Sequence, residues 1–417
     1  DIRKAYAIAA SGRQGPVLID IPKDVQQKKT KFIPKPPIEL PKIQGEYTEK
    51  EIAQAVQMME KAKRPCIYCG GGVITADAGK EIMELSRRLD APVCHSLMGM
   101  DAVPASFPAS LGMSGMHGQY ASTKAIAEAD LLIAVGARFS DRAVGDKQKY
   151  AQKAKIIHIE IDPAEVDKNI TVDLPLIGDA KEILEKLLKT VTGGKKEKWQ
   201  EEIAEMRAFG KAHETRYNGR LTPFAIIDQV SRVVPQDTPI VTDVGQHQMW
   251  VAQRYPFEQP RTFLSSGGLG TMGFGMGAAN GACIGTGRKT VLFTGDGSFA
   301  MNFNELGTAV TEGLPVIVIL MNNGVLGMVR QLQKFFSHGH YSQTTTNRKT
   351  DFVAFAKAMG AEGYRAETEE EMAEAMQKAM AAAGPVVIEC MIDQEDMVYP
   401  MVPSNQSIDE IILQGGR

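Results

Sequence analysis

Residues 290–323 read TVLFTGDGSFAMNFNELGTAVTEGLPVIVILMNN. Thr290 to Thr294 is β-rich and predicts a short strand, and Gly295-Asp296-Gly297-Ser298 predicts a turn. From Phe299 to Gly313, apolar residues at Phe303, Leu306 and Val310 follow a helical spacing. Pro315 ends that helix, and Val316 to Met321 is an apolar run that predicts a second strand. A strand–helix–strand unit crosses over right-handedly, so its strands lie parallel in one sheet. Open sheets of this kind bind ligands beyond the carboxyl ends of their strands. Asp296 and Asn323 stand just past the two ends and can offer a carboxylate and an amide oxygen to one small ion.

Oxygen donors of this kind suit Mg²⁺, which takes few protein ligands and completes its shell with water and phosphate oxygens. Gly295 and Gly297 allow close approach of a phosphate, and the following helix offers it free N–H groups. The implied ligand is a diphosphate held through a metal. A solvated strand end with two ordinary polar residues is the competing reading, because short motifs match often by chance. The Asn322-Asn323 pair at the second strand end favours the metal.

The chain has 417 residues, enough for two or three domains. Hydrophobic residues at 43% and charged residues at 23% fit a globular protein, and a net charge of −3 argues against a nucleic-acid surface. No apolar run reaches the ~18 residues that a membrane-spanning helix needs. Five cysteines, odd in number and sparse, point to a reducing compartment. Cys66 and Cys69 form a C-x-x-C inside a strand-like run with no second pair, which reads as buried structural thiols.

Residues 2–10 predict a helix and Pro16 to Ile21 a buried strand, too little for a domain of their own. Residues 25–45 read as an extended linker with Pro34, Pro36, Pro37 and Pro41. Between 46 and 192, strands in CIYCGGGV, APVCHSL, LLIAVGARF and KIIHIEID alternate with helices such as 77–89, a doubly wound α/β pattern. Gly193-Gly194 and a charged helix over 195–215 lead to a second α/β region, 216–395. The tail, 396–417, has little pattern. In the first region Gly70-Gly71-Gly72 fits a phosphate-approaching loop, and the acidic strand end at Glu160 and Asp162 fits ribose recognition. A tight turn and a solvated strand end explain them equally well.

GDG followed at this distance by NN resembles the thiamine diphosphate motif. TDVGQHQMW (242–250), SSGGLGTMGFGMGAANGA (265–282) and NNGVLGMVRQ (322–331) narrow the resemblance to the acetolactate synthase catalytic-subunit family. It runs from SGRQGPVLIDIPKD (11–24) to PMVPS (400–404). The resemblance implies two doubly wound parallel-sheet domains, an FAD-binding middle domain (46–192) and a thiamine diphosphate and Mg²⁺ domain (216–395). It also implies that 1–30 is the end of a pyrimidine-binding domain, most of which lies upstream together with the catalytic glutamate.

Position by position, it implies Mg²⁺ ligands at Asp296, Asn323 and the backbone oxygen of Val325. Diphosphate and thiazolium contacts fall on Gly245, Gln246, His247, Gly270, Gly295, Gly297, Ser298, Gly327 and Met328. Met272 stands beneath the bent cofactor, where a bulky apolar residue sits in the family, although alone it reads as an ordinary core methionine. FAD contacts fall on Gly71, Gly72, Ser96, Leu97, Met98, His117, Gly136, Arg138, Asp141, Arg142, Glu160, Ile161 and Asp179. Arg142 also faces the substrate entrance, where a fixed guanidinium suits a pyruvate carboxylate. Three positions depart from the family: Glu160 stands where Asp is usual, Gly324-Val325 where relatives carry Gln or Glu and His, and Leu332 where Trp lines the second-substrate pocket. Leucine loses that flat aromatic wall.

The implied activity is decarboxylation of pyruvate and its joining to pyruvate or 2-ketobutyrate, in branched-chain amino acid biosynthesis. A cytoplasmic homodimer or tetramer is implied, with a small regulatory subunit in many relatives, or a plastid location if a transit peptide lies upstream. Two rivals stay open: another FAD-containing thiamine carboligase such as glyoxylate carboligase, and a non-catalytic cofactor-binding module.

Overall fold

The computed structural model describes residues 1–36, 38–40, 45–217 and 219–414. Twelve strands form two six-stranded sheets. The first contains β1 Pro65–Cys69, β2 Val93–His95, β3 Ser110–Met113, β4 Leu131–Val135, β5 Lys155–Glu160 and β6 Leu174–Ile177, in the order β3-β2-β1-β4-β5-β6. The second contains β7 Ile240–Thr242, β8 Phe263–Ser265, β9 Thr290–Gly295, β10 Val316–Asn322, β11 Glu362–Ala366 and β12 Val386–Met391, in the order β11-β12-β10-β9-β7-β8. Every strand pair is parallel. This is the expected α/β class.

Both faces of each sheet are covered, which is why the strands read as apolar runs rather than alternating ones. In the first sheet Ile67, Ile133 and Val135 face helices Glu49–Lys61, Gly79–Leu89 and Ala180–Leu188. Cys66, Tyr68, Leu132 and Ala134 face helices Tyr120–Glu128 and Glu197–Ala212, with Trp199 fully buried. In the second, Phe293, Ile317 and Ile319 meet helices Pro223–Val233, Gln246–Arg254 and Glu369–Ala381, while Leu292, Val318 and Leu320 meet Phe274–Thr286 and Phe352–Ala358. Each aliphatic residue buried in this way adds about 1.5–3 kcal/mol.

Local chemistry sets the helix starts. Thr48 Oγ1 accepts from Glu51 N (3.2 Å) while Glu51 Oε2 accepts from Thr48 N (2.7 Å), closing a capping box. The five cysteines are free and buried, with Cys66 and Cys94 Sγ atoms 3.5 Å apart. The contact with Cys94 and then burial raise the Cys66 thiol, burial raises that of Cys69, and both disfavour the reactive thiolate.

Several expectations need correction. Residues 16–21 form no strand and are exposed, because no neighbouring strand among the described residues satisfies their backbone groups. Residues 295–298 are not a turn: β9 runs through Gly295 and a helix begins at once, Asp296–Asn302. The helix expected over 299–313 is broken by a 3₁₀ turn at Phe303–Glu305 before Leu306–Thr311. Gly71 and Gly72 open a short helix, Gly71–Thr75, rather than a loop, and the next helix starts at Gly79. Of the tail, residues 401–412 hold a 3₁₀ turn, Ile408–Glu410, and a Met401–Ile412 bridge. In the linker, Lys23–Gln27 forms one helical turn, and Pro37 and Pro41 lie outside the described residues.

The order of the first sheet reverses between β1 and β4, the point where such sheets open a ligand crevice. There Gly72 N donates to Gly136 O at 3.0 Å. A Cβ on Gly136, which has φ +57°, would lie 2.4 Å from Gly72 Cα. Backbone meets backbone, so nothing can swing aside. Gly136→Ala is expected to destabilise the fold by about 3 kcal/mol, from overpacking plus left-handed backbone strain. An unchanged urea midpoint for that variant would refute the assignment.

Candidate functional site

In the second sheet the order reverses between β7 and β9, and the sequence-marked residues collect there. β9 pairs with β10 in a register that sets Gly295 opposite Met321. Asp296 therefore follows one strand end and Asn323 the neighbouring one. The loop after β7 brings Gly245 and helix Gln246–Arg254 to the same edge, and His247 lies against Gly245 and Gly295.

Asp296 is 3% exposed and opens its helix. Burial raises its carboxyl above the usual range, with Arg348 and Thr346 acting in the opposite direction. Thr346 Oγ1 lies 2.9 Å from Gly324 O and 3.3 Å from Asp296 Oδ2. A hydroxyl has one proton to donate, and the shorter bond takes it. The buried carboxylate is thus short of compensation, a condition that a bound cation relieves. Asn323 Oδ1 accepts from Val325 N (3.1 Å), and Asn323 Nδ2 donates to Gln246 Oε1 (3.3 Å), leaving an oxygen lone pair. The Val325 carbonyl accepts no hydrogen bond among the described residues. One carboxylate, one amide oxygen and one backbone oxygen form a hard donor set that fits Mg²⁺ and leaves room for phosphate oxygens. No group of three or more His, Cys, Asp or Glu residues stands ready for a metal among the described residues.

His247 is pushed down to about 3 by burial and stays neutral, and its Nε2 finds no partner among the described residues. The Ser298 hydroxyl donates to Val244 O at 2.7 Å. Met272 is half-buried beside Gly297, at 3.6 Å from where a Cβ on Gly297 would stand. Gly270 precedes it at φ +70°. Sequence reasoning missed Asp243, whose Oδ1 accepts from Val244 N (3.0 Å) and Gly273 N (2.9 Å) and so pins the turn that carries Met272. Its position in the TDVGQHQ motif was the available signal. Gly327 and Met328 open helix Gly327–Phe336, which also carries the half-buried Leu332.

The first sheet gathers the other set. Gly71, Ser96, His117, Gly136 and Asp179 follow the carboxyl ends of β1, β2, β3, β4 and β6, Glu160 is the last residue of β5, and Ile161 follows it. Leu97 and Met98 form a 3₁₀ turn, and their side chains meet Gly267 in the loop that leads to Met272. The two sheet edges therefore face one another. Glu160 is 6% exposed, and burial raises its carboxyl. Its Oε1 accepts from Ile161 N (2.9 Å) and Asp162 N (3.3 Å), so one oxygen is already engaged. Asp179 caps helix Ala180–Leu188 through Lys181 N and Glu182 N. His117 is pushed down to about 4 by burial and then by Arg142, and its Nε2 lacks a partner among the described residues. Arg138, Asp141 and Arg142 are exposed, with Arg142 Nη1 3.5 Å from Met116 Sδ.

Comparison with known proteins follows this layout. Residues 52–187 match the central domain of thiamine pyrophosphate enzymes, and residues 243–390 match their C-terminal TPP binding domain. The protein is 41% identical to the acetolactate synthase large subunit of Corynebacterium glutamicum, over 98% of this sequence and 68% of that protein. It is 38% identical to the Haemophilus influenzae acetolactate synthase large subunit, over 99% and 74%. It is 39% identical to the Escherichia coli acetolactate synthase isozyme 1 large subunit, over 98% and 72%. Matched along nearly its whole length, with the matched motifs gathered on two facing sheet edges, the chain belongs to the acetolactate synthase large-subunit family of thiamine diphosphate enzymes.

Proposed function

We propose that the protein binds thiamine diphosphate through Mg²⁺ at the β9–β10 edge and FAD at the β1–β4 crevice, and serves the decarboxylation of pyruvate and its joining to a second 2-keto acid. The observation that carries this reading is the meeting of Asp296, Asn323 and the Val325 carbonyl at two adjacent strand ends, with a buried carboxylate whose burial outweighs the opposing charge of Arg348. When bound, thiamine diphosphate supplies the carbon nucleophile that adds to a keto acid and lets CO₂ depart.

The protein's own residues do the rest. Asp296, Asn323 and Val325 hold the metal and with it the diphosphate. The N–H groups opening helix Asp296–Asn302 face the same anion. Gln246 and the neutral His247 line the diphosphate end, and Met272, carried on the turn held by Asp243, props the ring. In the first sheet Gly71, Gly72 and Gly136 admit the flavin's phosphates close to the backbone. Glu160 and Asp179 keep one carboxylate oxygen each for the flavin's hydroxyls or waters. Ser96, Leu97, Met98, His117, Arg138 and Asp141 line the remainder. Arg142, exposed and permanently charged, meets the incoming carboxylate. The five buried reduced cysteines suit a reducing compartment, and assembly is as a homodimer or tetramer that accepts a regulatory subunit.

Calorimetry tests this directly. Thiamine diphosphate is expected to bind with Mg²⁺ present and to lose that binding in excess EDTA. Asp296→Ala is expected to weaken Mg²⁺-supported binding at least tenfold, the loss of a charge-assisted ligand. Metal-independent binding would refute the site.

Glu389, which also accepts from Asn322 Nδ2 at 2.8 Å, and Glu395 are both engaged, by Arg365 and Arg330. With these two engaged, the 417-residue protein alone is expected to form no acetolactate from pyruvate with all three cofactors added. Robust acetolactate formation, measured by product analysis, would overturn this. The same assay separates acetolactate synthesis from glyoxylate carboligation.

Leu332 bears on the second substrate. In a catalytically competent form that contains these residues, weak preference for 2-ketobutyrate over pyruvate is expected. Leu332→Trp should raise that preference about tenfold, through an added aromatic contact worth about 1.4 kcal/mol. Competition between the two keto acids measures it, and a strong preference in the unmodified protein would refute it.

A further inference from the structure

Gln331 is fully buried on helix Gly327–Phe336 and uses both ends of its amide. Its Oε1 accepts from Val398 N (2.8 Å), and its Nε2 donates to Val398 O (2.9 Å). A backbone N–H can only donate and a backbone carbonyl can only accept, so this pair fixes which end of Gln331 is oxygen. The same Oε1 accepts from Gln246 Nε2 at 3.1 Å. Gln246 Nε2 gives its second proton to Asp396 O at 2.9 Å. Gln246 Oε1 is thereby turned toward Asn323 and accepts from Asn323 Nδ2 at 3.3 Å. The Asn323 oxygen then faces Val325 N and the metal position. Three amides in series carry an unambiguous polarity from the backbone at Val398 to one oxygen at the strand end.

The space around this series is tight. A Cβ on Gly327 would lie 1.9 Å from Gln246 Oε1 and 2.9 Å from Asn323 Nδ2, so Gln246 has no alternative seat on that side. Gln331 also governs both acceptors of Gln246. It supplies one itself, and by clamping Val398 it seats the segment whose Asp396 carbonyl is the other. An inverted Asn323 would set its NH₂ against Val325 N–H and its oxygen against Gln246 Oε1, two repulsive contacts.

We propose that Gln331 is a positioning residue: through Gln246 it holds the Asn323 amide with its oxygen toward the Mg²⁺ of the diphosphate, and it couples the 396–401 segment to that metal. This rests on the Mg²⁺–diphosphate reading above, and it concerns neither substrate nor cofactor contact by Gln331 itself.

The test is a titration of Mg²⁺ into the 417-residue protein with saturating thiamine diphosphate, followed by calorimetry, with FAD affinity measured in parallel as an independent report of the fold. Gln331→Met keeps the volume and removes the acceptor. Gln331→Glu keeps an acceptor for Gln246 Nε2 and Val398 N and, protonated in this fully buried seat, donates to Val398 O from its other oxygen. The expected result is half-saturating Mg²⁺ raised at least tenfold in Gln331→Met and within about threefold of the unmodified protein in Gln331→Glu, with FAD affinity unchanged in both. Unchanged Mg²⁺ affinity in Gln331→Met, or an equal loss in the two variants, would overturn the proposal. Should Gln331→Met lose FAD and fold poorly, Gln331→Asn, one methylene too short to reach Gln246 Nε2, decides in its place: a tenfold loss of Mg²⁺ affinity with FAD affinity unchanged upholds the proposal, and unchanged Mg²⁺ affinity overturns it. No Mg²⁺-dependent binding in the unmodified protein would instead remove the metal reading itself, an outcome distinct from any difference among variants.

Discussion

The parallel pairing of β9 with β10 is the constraint on which the rest depends. Its register sets Gly295 against Met321, so the residues leaving the two strands emerge side by side on one edge. Six consecutive buried residues, Val316 to Met321, hold β10 in place from both faces. A slip by one residue would turn every side group to the opposite face, so the register is strongly specified. The position of Asn323 relative to Asp296 therefore follows from the sheet's core packing rather than from any local loop preference. The same logic governs the first sheet, where β1 and β4 run in register along five residue pairs and deliver Gly72 and Gly136 into backbone contact.

The polar groups at these edges are unusual for how little they are satisfied from within. Burial raises Asp296, Glu160 and Asp243, and pushes Asp396 up to about 7 with help from Asp393. His117 and His247 are held neutral, each with one nitrogen that finds no partner among the described residues. Native interiors pair nearly all such atoms, and the exceptions gather where a ligand completes the set. By contrast the amides of Asn323, Gln246 and Gln331 are joined end to end. A buried network that is fully joined is rigid. The cleft thus combines a rigid amide frame with ionisable groups awaiting partners.

Much of the arrangement was legible in the residues themselves. The apolar runs on either side of Gly295–Ser298 and Asn322-Asn323 announced a strand–helix–strand crossover, and the Gly-rich words around Met272 and Gly71 marked close approach of backbone. The three- and four-residue strands β3, β6, β7 and β8 carried too little periodicity to stand out, and β11 and β12 were not singled out. The strand expected over 16–21 failed for the opposite reason, an apolar pattern without a neighbouring strand among the described residues to pair with. Asp243 and Gln331 escaped notice because their importance lies in partners 30 and 67 residues away, Gly273 and Val398.

By itself the sequence determined the α/β class, the oxygen-donor pair at two strand ends and the family to which they belong, because periodicity and spaced motifs are local properties. Tertiary structure alone decided which groups share a proton, for which carboxylates burial outweighs the neighbouring charges, and that a series of amides from Val398 ends at Asn323. Those depend on desolvation and on contacts between distant segments, and neither exists until both sheets have packed.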